Sequence, residues 1–422
     1  MINNETYVAP EEIFTPNKFP QKTFVNSHIK EKMQLLTQAL RDGDIVSISG
    51  PSKSGKTVMV ERVASDNNFI LVLPSLAGAE TVQEVWRRFL AEVNAKYDTA
   101  QLQGIQNCHE NEISANVKAG IPMLGQAAGT FTHGRSKTTI TQTTSDIVVD
   151  YSSLLVQEFK GTDFILFIDD FHYLSSEVQA GLAQQIKQIS RLGVKIICAS
   201  IIHREQDFIR SNPDLRGRVR AIDLDYWQTS SLEEIAQKGF DYLHIKTSNN
   251  IIKKIASEAA GSPLLMQRLC LEYSLCAYRE PAYDTLNIDL PALFKKNAET
   301  LSMNSIVTVM KNGPKVHGKE RSTYIFKNQK SGDTYHCLIL ALREDPPQTL
   351  FTYNELIDRA KKVCLESSNM PSSSSLIQAC EKAATLVNKE AQSFYLDWNS
   401  ERDTLHIAEP LFIFFLRWGV SL

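Results

Sequence analysis

Gly50-Pro51-Ser52-Lys53-Ser54-Gly55-Lys56-Thr57 satisfies the pattern G-x-x-x-x-G-K-[ST] at every defined position. The residues before it, Asp44 to Ser49, read as a short buried strand, and those after it, Val58 to Ala64, read as a helix. Strand, glycine-rich loop and helix together suit an anion, because the loop N–H groups and the helix N-terminus converge on it. In such a loop Lys56 reaches the β- and γ-oxygens of a nucleotide, and Thr57 offers its hydroxyl to Mg²⁺. The alternative is a chance match in a Gly/Ser/Lys loop, and the agreement of both flanks argues against it.

Outward from the loop, the same alternation repeats. Phe69 to Leu73 reads as a second buried strand, followed by a helix from about Thr81 to Tyr97. A helix from about Asp146 to Phe159 precedes the apolar run Phe164 to Ile168, which ends in Asp169-Asp170. A helix over 176–191 leads to the strand Val194 to Ser200, and a further strand lies at Val219 to Leu224. Continuous apolar runs alternating with amphipathic helices predict an α/β core, a parallel sheet covered on both faces. A helix over 29–40 and the irregular residues 1–25 precede it.

From Ser230 the pattern is helical only: a capping box at Ser230 and Glu233, then helices near 231–243, 249–260 and 263–279, forming a small lid. The segment 295–330 carries eight basic residues against two acidic ones. After it, 336–342 reads as a helical turn or strand-like run. Thr352 to Glu355 forms another capping box opening a helix to about Val363, and a second helix runs from Ser374 to Asn388. Phe394 to Trp398 and Thr404 to Ile407 read as a hairpin. Helix, helix, hairpin is the order of a winged helix. The expected organisation is a lead-in over 1–25, a P-loop ATPase core over 26–228 with an insertion at 113–145, a lid over 229–294, a basic linker over 295–332 and a winged helix over 333–422.

With 422 residues the chain exceeds a single core of about 250–300 residues. Its formal net charge of −3 gives no whole-chain attraction to nucleic acid or anionic membrane. Seven scattered cysteines without a C-x-x-C pair disfavour a metal knuckle or disulfide framework and fit a reducing, cytoplasmic setting. The stretch Met1 to Phe24 lacks the apolar core of a secretory signal, and the run Leu411 to Leu416 is too short to span a bilayer, so a soluble protein without membrane contact is expected.

Asp169 and Asp170 fall at the C-terminal tip of a core strand, where open α/β sheets place their ligands. Asp169 is expected to hold Mg²⁺ with Thr57, and Asp170 to orient or activate the attacking water. Ser200 ends the next strand, as a group for the γ-phosphate or water, or as an ordinary turn serine. Arg216 and Arg218 precede a strand, and Arg218 is favoured to complete a neighbouring molecule's site, because a guanidinium fork matches the spreading phosphoryl charge; surface salt bridging is the plainer role. No G-x-S-x-G elbow, H-E-x-x-H helix or kinase H-R-D set is present. Asn388-Lys389-Glu390-Ala391 departs from the N-K-x-D guanine reader, so ATP is the expected nucleotide.

The chain resembles the AAA+ and STAND superfamily of P-loop ATPases in GPSKSGKT at 50–57, FILFIDDFHYL at 164–174, DLRGRV at 214–219 and GSPLLMQRL at 261–269. Ser200 looks like the sensor-1 position of that superfamily. Gly261-Ser262-Pro263 looks like the G-x-P motif of STAND signalling ATPases and departs from the Gly-x-x-Arg sensor of classical AAA+ lids, although Arg268 lies on the same helix. The resemblance implies a nucleotide site made by Gly50, Pro51, Ser52, Lys53, Ser54, Gly55, Lys56, Thr57, Val58 and Pro263. It also implies an ATP-driven regulatory switch that self-associates and engages a protein partner, in prokaryotic defence or stress signalling. IDDFHYL is also similar to transposition-type ATPases, so a DNA-binding ATPase of the transposition or origin-recognition type is the rival, and a nucleotide-binding scaffold with little turnover is a third reading.

Two segments bear on that choice. Ile113 to Ser145 has no acidic residue, four glycines and seven threonines; it reads as a disordered loop, an oligomer or partner contact, or a DNA contact. Over 331–422 there are eight basic and twelve acidic residues. Duplex binders need several phosphate-neutralising side chains, so protein contact is expected there, with DNA reached through the basic linker or the insertion.

Overall fold

The computed structural model describes residues 8–102, 150–201, 217–279, 288–315, 321–366 and 369–420. These fall into two compact units, one within 35–48 and 60–222 and the other within 1–34, 49–59 and 223–422.

The first is a sheet unit. Strands β1 (Ile45–Ser49), β2 (Ile70–Val72), β3 (Phe164–Ile168), β4 (Lys195–Ser200) and β5 (Val219–Asp223) form a five-stranded parallel sheet in the order β2-β3-β4-β1-β5. The register sets Val72 beside Leu166 and Ile168 beside Cys198. Every residue of β1 and β3 is buried, as continuous apolar runs in a sheet covered on both faces require. Helix α2 (Lys30–Asp42) leads into β1, and the helices between strands are α3 (Lys56–Asp66), α4 (Val82–Leu102), α5 (Tyr151–Phe159) and α6 (Ser176–Arg191). Trp86, Phe89, Phe159, Phe171, Leu182 and Ile186 meet in one core. Each such side chain contributes about 1.5–3 kcal/mol by leaving water. Trp86 Nε1 donates to Gln185 Oε1 at 2.5 Å, so the indole is buried with its polar atom satisfied. Ser175 caps α6 by accepting from the Val178 N–H at 3.3 Å, which fixes the helix start at the position its periodicity predicts.

The second unit is mainly helical. Its first half contains α1 (Pro10–Ile13), α7 (Thr229–Tyr242), α8 (Asn249–Glu258), α9 (Pro263–Ala277), α10 (Leu290–Glu299) and α11 (Asn304–Asn312). A small hairpin, β6 (Tyr324–Ile325) with β7 (Ser331–Gly332), is followed by α12 (Thr334–Arg343), β8 (Leu350–Thr352), α13 (Tyr353–Val363), α14 (Ser373–Ala391), β9 (Leu396–Asn399), β10 (Thr404–Ile407) and α15 (Pro410–Trp418). The three strands order as β8-β10-β9, with Leu405 opposite both Phe351 and Trp398 in antiparallel register. One continuous core takes in Phe14 just after α1, Phe240 of α7, Tyr273 of α9, Phe294 of α10, and Phe412 and Phe414 of α15. At Gly239 a Cβ would lie 2.1 Å from Phe14 Cζ, so the absence of a side chain makes room for that ring.

Glu258, 0% exposed at the end of α8, is the charged centre of this unit. It accepts from Arg417 Nε and Nη2 at 3.0 Å each, from Trp418 Nε1 at 2.8 Å and from Lys254 Nζ at 3.0 Å. Burial pushes the Glu258 carboxyl upward, but the hydrogen bonds and charge of Arg417, with Trp418 and Lys254, hold it below its ordinary value. Arg417 Nη2 also reaches Asp345 at 2.5 Å.

Several expectations change in detail. The Thr352–Glu355 capping box forms, Thr352 N–H donating to Glu355 Oε2 at 2.8 Å and Glu355 N–H to Thr352 Oγ1 at 3.4 Å. The expected box at Ser230 and Glu233 does not: α7 starts earlier, at Thr229 with Gln228 as its N-cap, so Ser230 is already inside the helix. The ambiguous run at 336–342 is helical, and the segment 295–330 contains the second half of α10 and all of α11. Leu411 to Leu416 are all buried within α15, and a helix covered on all sides shows no polar face to mark its period.

Candidate functional site

The loop Gly50 to Thr57 belongs to the helical unit, and residues distant in sequence close around it. Lys56 is 8% exposed, and its Nζ donates to the carbonyls of Gly50 at 3.1 Å and Pro51 at 2.9 Å. Gly55 has φ +92° and Lys53 φ +58°. Glycine adopts that region freely, whereas for lysine it is a sparsely populated conformation that surrounding contacts must hold. Gly50 meets a different constraint: a Cβ there would sit 2.9 Å from Leu224 Cβ, because the chain after β5 runs tightly along the loop, Leu224 N–H donating to the Ser49 carbonyl at 2.7 Å.

Beyond Leu224 the linker continues the enclosure. Trp227 Nε1 donates to the Ser54 carbonyl at 2.9 Å, and Trp227 N–H to the Gly261 carbonyl at 3.1 Å. Gly261, at φ +80°, turns the chain into α9, where Ser262 caps by accepting from Leu265 N–H at 3.2 Å and Pro263 occupies the first turn. Pro263 Cγ lies 4.0 Å from where a Gly55 Cβ would be, so the predicted lid residue stands beside the loop. His28 packs on the Trp227 ring with centroids 3.9 Å apart, and burial lowers its pKa. Ser54 Oγ is buried without a hydrogen-bond partner among the described residues. Thr57 and Val58 follow in the first turn of α3, half-buried; the leading N–H groups of a helix have no carbonyl within it to bond. The loop and the start of α3 thus offer N–H donors, an ammonium and, among the described residues, an unpartnered hydroxyl, a set that suits a polyphosphate, while Trp227 and the turn at Gly261 wall it in.

Two contacts to the loop's surroundings come from the end of the described chain. Glu409, 6% exposed, accepts from Ser52 Oγ at 3.1 Å and forms an ion pair with Lys53 through Oε2. Tyr226 Oη bonds His406 Nε2 at 2.8 Å and donates to the Ile407 carbonyl at 2.9 Å. Sequence reasoning missed both residues; an acid before a helix-starting proline signals a cap and nothing about a loop more than three hundred positions away. Arg268 points elsewhere, its Nη2 donating to Thr300 Oγ1.

In the sheet unit, Asp169 and Asp170 follow β3 directly. Asp169 Oδ1 accepts from the Asp170 N–H at 2.9 Å, and Asp170, at φ +54°, opens a tight turn through Phe171–Tyr173. Asp170 is exposed and Asp169 half-buried. Ser200 ends the neighbouring β4, and its Oγ is buried without a partner among the described residues. The β3–β4 register ends with Ile168 beside Cys198, directly before Asp169 and two residues before Ser200. Arg218 precedes β5, exposed, and makes no hydrogen bond or ion pair among the described residues, whereas Arg220 pairs with Asp44 at 2.9 Å. Arg216 and the segment 113–145 lie outside the described residues. Among those residues no helix is long and apolar enough to cross a membrane, and no cluster of three or more His, Cys, Asp or Glu suits a metal ion.

No family model matches this sequence, and no curated protein matches it. Among solved structures, the chain is similar to a Walker-type ATPase of Pyrococcus abyssi, at 13% identity and a TM-score of 0.49, over 92% of this chain and 95% of that one. It is similar to Cdc6p from Pyrobaculum aerophilum at 12% identity and a TM-score of 0.42, over 97% and 99% of the two chains. It is also similar to the RuvB Holliday junction branch migration motor of Thermotoga maritima at 14% identity and a TM-score of 0.43, over 91% and 92%.

Proposed function

We propose that this chain is a Mg²⁺-dependent ATPase of the STAND-like AAA+ kind, whose nucleotide state controls self-association and engagement of a protein partner in defence or stress signalling. The observation that carries the reading is the closure of Gly50 to Thr57 by Leu224, Trp227 and Pro263 within one unit. Residues Gly50 to Val58 and Pro263 bind the nucleotide, and Lys56 exchanges its two loop carbonyls for phosphate oxygens. Thr57 and Asp169 are the oxygen ligands of Mg²⁺, which supplies charge neutralisation at the phosphates. Asp170 orients the attacking water, Ser200 donates to water or γ-phosphate, and Arg218 acts on the site of a second copy. Residues 26–228 are the ATPase core, 229–294 the lid, 295–332 a basic connection and 333–422 a winged helix; the chain order α12, β8, α13, α14, β9, β10, with the strands paired as β8-β10-β9, supports that assignment.

The test combines titration, turnover and mass. Lys56→Ala should abolish ATP binding, whereas Asp170→Asn should bind ATP and turn it over at least a hundredfold more slowly. A slowly hydrolysed ATP analogue should yield larger assemblies than ADP. Equal loss of binding in both variants, or a mass indifferent to nucleotide, overturns the reading. The basic residues of 295–330 favour one second reading, a DNA-binding ATPase of the transposition or origin-recognition type; assembly that requires DNA at every protein concentration would establish it.

A further inference from the structure

The Glu409 carboxylate has two occupations. Oε1 accepts from the Leu411 N–H at 3.1 Å and so caps α15, while Oε2 takes Ser52 Oγ and the Lys53 ammonium from the phosphate loop. Lys53 is itself held at φ +58°, so the contact engages the residue whose backbone most needs holding. The carboxylate is nearly inaccessible to water, and a charge so placed is kept by its partners. A second strut, Tyr226 to His406 and Ile407, ties the linker beside the loop to the strand that leads into Glu409. At the other end of the same helix, Arg417 and Trp418 grip Glu258 at the end of α8. One helix therefore joins loop and lid, with an anion at the loop end.

An anion there opposes a second anion. Lys53 and Ser52 both donate to Glu409, and its negative charge stands at a loop whose donors suit phosphates. We propose that Glu409 is a latch on the phosphate loop: an entering nucleoside triphosphate takes over Lys53 and Ser52, expels the carboxylate and loosens the start of α15, which stays anchored through Arg417. This rests on the reading of the loop as a nucleotide site. Linkage makes the effect reciprocal, so whatever factor the latch subtracts from ATP affinity, ATP subtracts from the latch.

The experiment is ATP titration together with hydrogen exchange at the amides of Leu411 to Arg417, on the full chain. Glu409→Gln removes the charge and keeps an oxygen to cap Leu411. It should tighten ATP binding about tenfold, the effect of one charge-assisted contact, and raise α15 exchange in nucleotide-free protein. Lys53→Ala removes the other half and should raise the same exchange without nucleotide. Saturating ATP should raise it in the wild type and add little in Glu409→Gln. Wild-type affinity in Glu409→Gln, or α15 exchange unmoved by ATP, overturns the latch. If the wild type binds no ATP, the nucleotide reading fails separately, and the latch stands or falls on the nucleotide-free exchange of the two variants, unchanged exchange overturning it.

Discussion

The cluster at Glu258 gives a stability prediction whose size follows from the structure. Arg417→Met removes the two hydrogen bonds at 3.0 Å and the opposite charge from a carboxylate that is 0% exposed, leaving Trp418 and Lys254 as its donors. Breaking a buried pair from one side costs about 3–5 kcal/mol, and the surviving donors place the expectation near the lower figure. At roughly 2–4 °C per kcal/mol for a unit of about 150–250 residues, the melting temperature should fall by about 6–12 °C. Glu258→Met with Arg417→Met leaves no charge stranded and should recover most of the loss. Trp418 fluorescence during unfolding is the assay, since its indole N–H is bonded to Glu258. The same pair fixes a pH dependence. The folded Glu258 carboxyl lies below its ordinary 4.5, so its contribution is fully present above that value and is lost as pH falls through the folded one. The wild type should therefore lose stability more steeply than Glu258→Gln as pH falls below 4.5. A loss below about 1 kcal/mol in Arg417→Met, the size of an exposed pair, or a double variant as unstable as the sum of its singles, would refute the reasoning.

Two further outcomes are expected. Gly239→Ala drives a methyl group into the Phe14 ring and should cost about 1–3 kcal/mol by thermal unfolding; recovery in a Phe14→Leu background locates the effect, and no recovery would point to the helix itself. Ser200→Ala deletes a buried hydroxyl that has no partner among the described residues. It should leave the melting temperature unchanged or slightly higher while lowering ATP turnover about ten- to a hundredfold, the loss of one hydrogen bond to a charged group; unaltered turnover would reduce Ser200 to a core residue.

What was legible in the sequence was local. The strands at 45–49, 164–168 and 195–200 stood out because burial on both faces demands unbroken apolar runs, and the capping box at Thr352 because both partners lie within one turn. The box at Ser230 failed because Thr229 can enter the helix with Gln228 before it, and propensity alone does not choose between adjacent starts. Pro263 was reached only through a resemblance, yet it lies beside Gly55. Glu409, Tyr226 and Trp227 were not legible as loop partners, since each is defined by a contact across the chain that no spacing encodes. The β6–β7 hairpin was missed for a different reason: strands of two residues carry too little period to read.

The core that holds Phe14 also holds Phe414, which meets Phe294 edge to face with centroids 6.1 Å apart. A chain folding from its earlier residues onward can complete the sheet unit by position 222, but must leave Phe294 of α10 without its Phe414 contact until α15 exists. Ordering such distant partners is entropically slow. During that interval α10 lacks an apolar neighbour that the finished unit supplies, so a chain stopped before Pro410 leaves part of this core open to water.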